Sequence, residues 1–191
     1  PKCEELFSYE KINGETVLKN PPPPENDTVV FGVRPCDGAA FDYLATFFLK
    51  ENPDFHFKQR YDKTILIGIT CESGDEFCFC TSVGISPSDT RGLDIMLTKH
   101  ENDYYVEVIT DKGSKLIQEF SEYFENAEKI DKTKYTANIP EYFNNKLVRE
   151  KLSDAFAWEK WDESSLPCFG CGTCAFSCPT CTCFDIQDEA N

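Results

Sequence analysis

Two short runs of nearly unbroken apolar residues frame the first half of the chain: Thr28–Val33 (TVVFGV) and Thr64–Thr70 (TILIGIT). Both are too short for a packed helix and rich in β-branched residues, so each predicts a buried strand. Between them Asp37 can cap a helix over roughly 38–50, with Phe41, Leu44, Phe47 and Phe48 on one face. Asn52-Pro53 ends that helix. Strand, helix, strand predicts a βαβ unit with a right-handed crossover. Beyond a loop over 71–90, LDIMLTKHENDYYVEVIT predicts a hairpin, with strands at about 93–98 and 104–110 turning at Glu101-Asn102. Asp111 can cap a helix of about 112–128, where Leu116, Phe120, Tyr123, Phe124 and Ala127 recur at helical spacing. Pro140 opens another, to about 157. Residues 1–27 read as a weakly structured lead-in whose Pro21–Pro24 run is an extended connector. The fold class expected is α+β or α/β: a small βαβ-containing α/β domain over 28–135, a helical connector over 136–166, and a cysteine-rich segment over 167–191.

Composition narrows the partners. The chain has 191 residues, 40% of them apolar, with sixteen Phe and eight Tyr, enough for one domain plus a small appendage. Its formal net charge of −15 argues against nucleic acid or an anionic membrane as partner. That charge suits a soluble protein or a subunit that meets a basic surface. No run of eighteen apolar residues is present, so no membrane insertion is expected. The start at PKCEELF, without Met or a secretory leader, predicts a fragment of something longer. The sequence has no G-x-G-x-x-G after a strand, no G-x4-G-K-[ST], and no nucleophile motif with a positioned base.

The eleven cysteines change the picture most. They are bunched, which suits metal ligation in a reducing compartment better than a disulfide framework. Cys168-x2-Cys171-x2-Cys174-x3-Cys178-Pro179 has the bacterial ferredoxin spacing for a 4Fe–4S cluster. Three thiolates on one tight loop can reach three iron corners of one cube. Gly170 and Gly172 let the backbone come close and direct N–H groups at the sulfides. The fourth cysteine, expected to start a helix, usually ligates a second cluster. A zinc knuckle or a small disulfide knot are the other readings. Segment 167–191 is therefore expected to be a partial ferredoxin-like module. A two-cluster unit needs a second run, and only Cys181 and Cys183 follow. Either one of these completes a cluster, or the second run lies beyond residue 191; the second reading is preferred.

Cys36 follows the first predicted strand (VRPCD) and Cys71 directly follows the second (GITC). In a βαβ unit both fall at the carboxyl edge of a parallel sheet, where such sheets place their ligands. Cys78 and Cys80 can fold back to the same edge. Four converging thiols suit a 4Fe–4S cube, a structural zinc, or redox-active thiols without a metal. Arg34 and Asp37 flank Cys36 and are candidate cofactor-binding residues. Arg34 can offset the negative charge of a thiolate cluster, or the two can serve as a surface ion pair and a helix cap. Cys3 reads as a lone thiol, His56 and His100 as surface residues, and Trp158 and Trp161 as core.

Three stretches occur together: FGVRPCDGAAF (31–41), TCESGDEFCFCTSVG (70–84) and CFGCGTCAFSCPTCTCFDIQDE (168–189). The combination, over about residues 28 to 189, resembles the iron–sulfur β subunit of soluble sulfhydrogenase-type nickel–iron hydrogenases. It is equally similar to the A subunit of anaerobic sulfite reductase. The resemblance implies a cytoplasmic electron-transfer subunit with a dicluster 4Fe–4S module, whose second cysteine run this sequence lacks. It implies placement between a flavin subunit that binds NAD(P)H and a catalytic redox subunit. By match to the motif, Cys168, Cys171 and Cys174 serve one cube and Cys178 the other. The rival reading is a structural zinc scaffold without electron transfer.

Overall fold

The computed structural model describes residues 5–182 and 186–188. Within these lie six strands and six α-helices, a mixed α/β architecture as expected. A hairpin comes first, β1 (Ser8–Ile12) and β2 (Glu15–Lys19), with Asn13 and Gly14 both at positive φ in its turn. The lead-in is thus not weakly structured. Its N-G dipeptide is the two-residue turn that hairpins favour.

The main sheet has four strands in the order β3 (Thr28–Val33), β4 (Thr64–Ile69), β5 (Ile95–His100), β6 (Asp103–Val108). The first three are parallel neighbours and β6 returns antiparallel, so the βαβ unit and the hairpin both form. Glu101, at positive φ, makes the turn between β5 and β6. The predicted burial of β3 is overturned. It is an edge strand, and Phe31 is 68% exposed. An apolar run marks a strand but cannot say which strand ends at the sheet margin.

Helix α1 (Pro35–Phe48) and the shorter α2 (Phe55–Asp62) connect β3 to β4. Asp37 does not cap α1. Arg34 is the N-cap and Pro35 fills the first helical position, which leaves Cys36 and Asp37 inside the first turn. The expected apolar face is borne out only in part, with Phe41 packed against the core. Gly38, Ala40 and Ala45 are buried, while Phe47 is exposed. Small residues let the helix sit close: a Cβ on Gly38 would lie 2.8 Å from the Arg91 carbonyl oxygen. The core beneath is Leu66, Leu93 and Met96, with Val33 and Phe41 packed against it. Each such buried side chain contributes roughly 1.5–3 kcal/mol.

Asp94, 4% exposed, fixes the amino-terminal end of the sheet. Its carboxylate accepts from the Leu66 N–H at 2.8 Å and from the Thr110 hydroxyl. Thr110, not Asp111, then caps α3 (Asp111–Glu119), accepting from the Gly113 N–H. This helix stops well short of the predicted residue 128. The connector holds α4 (Asn145–Asp154), capped by Asn144, so Pro140 stands outside the helix it was expected to open. Next come α5 (Lys160–Ser165) and α6 (Thr173–Ser177). Trp158 and Trp161 are half exposed rather than core. Among the described residues no helix is long and apolar enough to cross a membrane.

Candidate metal centre

Parallel pairing puts the ends of β3 and β4 side by side, and the chain leaves both at the same edge. Cys36 lies in the first turn of α1 just past β3, and Cys71 follows Thr70 just past β4. Thr70 is locked at its place, its buried hydroxyl sharing a 2.8 Å hydrogen bond with that of Thr98 on β5. Beyond Cys71 the chain crosses to β5 without an α-helix. Its one regular piece is a 3-10 turn, Cys80–Val83, ended by Gly84 at positive φ.

All four predicted N-terminal thiols come to this edge. Loss of hydration pushes the Cys36 thiol above its ordinary value, and the neighbouring Asp37 and Cys71 push it further the same way. Burial also raises Cys71; the Arg34 cation opposes it, and Cys80 and Cys78 add to it. The mutual repulsion means that Cys36, Cys78 and Cys80 all lie within electrostatic reach of Cys71. Arg34 Nη1 is 4.0 Å from Cys71 Sγ, a charge-assisted contact that favours the thiolate. Asp37, read with Arg34 as cofactor-binding, acts on the Cys36 thiol in two opposed ways: its charge raises it and its backbone hydrogen bond lowers it. Cys78 Sγ accepts from the Asp75 N–H at 3.4 Å.

The C-terminal group is built differently. Gly170 and Gly172 are both at positive φ, the latter as N-cap of α6, in the segment that carries Cys168 and Cys171. Cys168, Cys171, Cys174 and Cys178 are all exposed. Cys178 does not start a helix; it is the C-cap of α6, which carries the third cysteine, Cys174, in its first turn. Hydrogen bonding with Thr173 holds the Cys171 thiol below its ordinary value, and Thr180 does the same for Cys178. Cys3 and Cys183 lie outside the described residues.

None of the nine described cysteines is in a disulfide. Among the described residues no three Cys, His, Asp or Glu side chains already meet at metal-ligand distance. Each group shares an edge or a loop without yet sharing a coordination point. The donor chemistry still suits an iron–sulfur cube: sulfur only, four thiols per neighbourhood, a cation beside one group and open glycine backbone beside the other. A polar cavity of about 320 Å³, lined by Glu72, Lys99, Glu101, Lys134, Tyr135 and Thr136, opens at the same edge as Cys71. Thr81 and Ser82, directly after Cys80, also bond across this edge, and the sequence reading passed over them. Their only signal was a Thr-Ser pair following the CFC tripeptide.

This mixed α/β chain, with one thiol group on a sheet edge and another beside two glycines at positive φ, has a curated relative. It is 31% identical over 171 residues to the sulfhydrogenase 2 subunit beta of Pyrococcus furiosus, covering 84% of this chain and 49% of that protein. The chain belongs to the sulfhydrogenase beta-subunit family. It spans about half the length of the curated relative it matches. No family model matches the chain, and no solved structure matches it.

Proposed function

We propose that this chain is an iron–sulfur electron-transfer portion of a multi-subunit oxidoreductase. It relays electrons between an NAD(P)H-oxidising flavin subunit and a catalytic partner of hydrogenase or sulfite reductase type. The observation that carries the reading is the gathering of Cys36, Cys71, Cys78 and Cys80 at one sheet edge from an irregular sequence spacing. The relative's name, a beta subunit of a sulfhydrogenase, supports the same assignment.

In this reading Cys36, Cys71, Cys78 and Cys80 hold one 4Fe–4S cube. Cys168, Cys171 and Cys174 ligate a second, and Cys178 is a ligand offered to a cluster beyond these two. When bound, such a cube supplies one-electron transfer without bond-making on a substrate. The chain's own residues set the conditions for it. Arg34 places a positive charge against the Cys71 sulfur and favours the thiolate. Half-burial of Cys71, Cys78 and Cys80 limits water at that group. Gly170 and Gly172 leave N–H groups unobstructed by side chains at the other. Clusters of this kind span roughly −700 to +450 mV, and all-thiolate ligation with an acidic surface places these toward the low end. Anaerobically purified protein should carry iron and acid-labile sulfide in equal amounts and bleach with dithionite. Zinc in place of iron, or a midpoint potential well above zero, contradicts the proposal.

A further inference from the structure

We infer that residues 136–142 are a strap that positions the thiol-bearing loop after β4, with Thr81 and Ser82 as the positioning residues that receive it. What the thiols hold rests on the function proposed above; that the strap places them does not.

The loop from Cys71 to Asp94 joins two parallel strands that lie side by side, yet it contains no α-helix. Connections of this kind normally use a helix to organise the crossover. A long irregular loop loses much conformational freedom on ordering, so contacts from elsewhere must hold it. Here they come from one segment about 60 residues further on. The Ala137 N–H donates to the Cys71 carbonyl at 2.7 Å. The Thr81 hydroxyl donates to the Pro140 carbonyl at 3.0 Å. The Tyr142 N–H donates to the Ser82 hydroxyl oxygen at 2.8 Å, and Ser82 is buried. Ile139 fills the space over Gly74, where an added Cβ would lie 2.1 Å from its Cδ1. The Phe143 ring meets Phe79, centroids 6.1 Å apart.

Positions 71, 74, 81 and 82 therefore each have a strap partner, Phe143 just past the strap adds position 79, and together they bracket Cys71, Cys78 and Cys80. The strap has neither helix nor strand of its own, which leaves its backbone donors and acceptors available to the loop. It is anchored as it enters. Lys132 pairs with Glu107 on β6, and the Tyr135 ring stands edge-on to His100 at the end of β5. The chain thus runs from the β5–β6 hairpin across the carboxyl edge of the sheet and over the cysteine loop. Cys36 belongs to the same thiol group but is carried by α1, outside the strap's hold.

That difference supplies the test. The full chain, reduced and metal-free, is treated with iodoacetamide at fixed pH, and modification is read cysteine by cysteine for wild type, Thr81→Val/Ser82→Ala and Thr81→Ser. Loss of two hydrogen bonds, each worth roughly a factor of five, should speed modification of Cys71, Cys78 and Cys80 by roughly ten- to thirtyfold. Cys36 and Cys168 should change by less than about twofold, and Thr81→Ser should match wild type. Unchanged rates at Cys71, Cys78 and Cys80 overturn the strap, as does a parallel rise at Cys36, which would signal general destabilisation. In a second arm, iron release to a chelator is timed in anaerobically reconstituted protein. Faster loss of the iron held by the N-terminal group in the double variant supports the strap, and an unchanged rate overturns it. If wild type holds no iron at that group, the functional reading fails, and the strap still stands or falls on the alkylation rates.

Discussion

Cys36 and Cys71 are far apart in sequence and meet because β3 and β4 lie parallel and adjacent; Cys168 and Cys171 are three residues apart and need no partner element. The first group depends on a sheet, a helix terminus, a buried threonine pair and a strap. The second depends on two glycines at positive φ and one short helix, in a segment exposed nearly throughout. Tertiary placement leaves an irregular spacing, whereas local placement writes itself into the spacing. The two groups should therefore fail under different perturbations.

The largest separation is expected from Gly92→Ala. Gly92 has φ +71°, and a Cβ there would lie 2.0 Å from the Gly38 carbonyl oxygen, backbone against backbone. Helix α1 would have to lift from the sheet, at a cost of about 3 kcal/mol or more. Denaturant unfolding should show that loss, and the N-terminal group should lose its bound iron while the C-terminal loop keeps its own. Asp94→Ala comes next. It strands the buried Leu66 N–H and removes the acceptor of the Thr110 hydroxyl, for about 2–4 kcal/mol, again on the sheet side only. Gly172→Ala is the reverse case. Nothing lies within 4 Å of a Cβ there, so only the left-handed φ of +72° is penalised, by about 1–2 kcal/mol. Cluster assembly at the C-terminal loop should suffer with the unfolding midpoint unchanged.

The smallest effect expected is a pH dependence. Burial acts to raise the Asp89 carboxyl, but hydrogen bonds from the Arg91 guanidinium and backbone outweigh it, and its pKa lies below the ordinary 3.8. A depressed folded value stabilises above the unfolded one and is lost as pH falls through the folded value. Stability should therefore drop below about pH 4 by under about 1 kcal/mol from this pair, and Asp89→Asn should flatten that part of the profile.

Much of the sheet side was legible in the sequence. The TILIGIT run, the hairpin after it and the turn at Glu101-Asn102 all follow from period and turn chemistry. The gathering of Cys36 and Cys71 followed from βαβ logic alone. Other features were not legible. Edge position is decided by which strands pair, so TVVFGV looked buried and is not. The buried face of α1 is set by how closely it approaches the sheet, so alanines and a glycine are buried there beside Phe41, while Phe47 is left exposed. Thr110 takes the cap that Asp111 seemed to offer, because Asp94 already fixes its hydroxyl. The strap was invisible because hydrogen bonds between two irregular segments leave no periodicity. On the C-terminal side the thiol spacing and the glycines were legible, but α6 lies one cysteine earlier than the ferredoxin pattern suggested.

The central claim is that two differently built thiol groups each hold an iron–sulfur cluster. Iron and acid-labile sulfide should be counted on anaerobically reconstituted wild type, Cys71→Ser and Cys171→Ser. Roughly four irons per cube predicts about eight in wild type and about four in each variant. A count of about four that Cys71→Ser leaves unchanged would confine iron to the C-terminal loop and contradict the account.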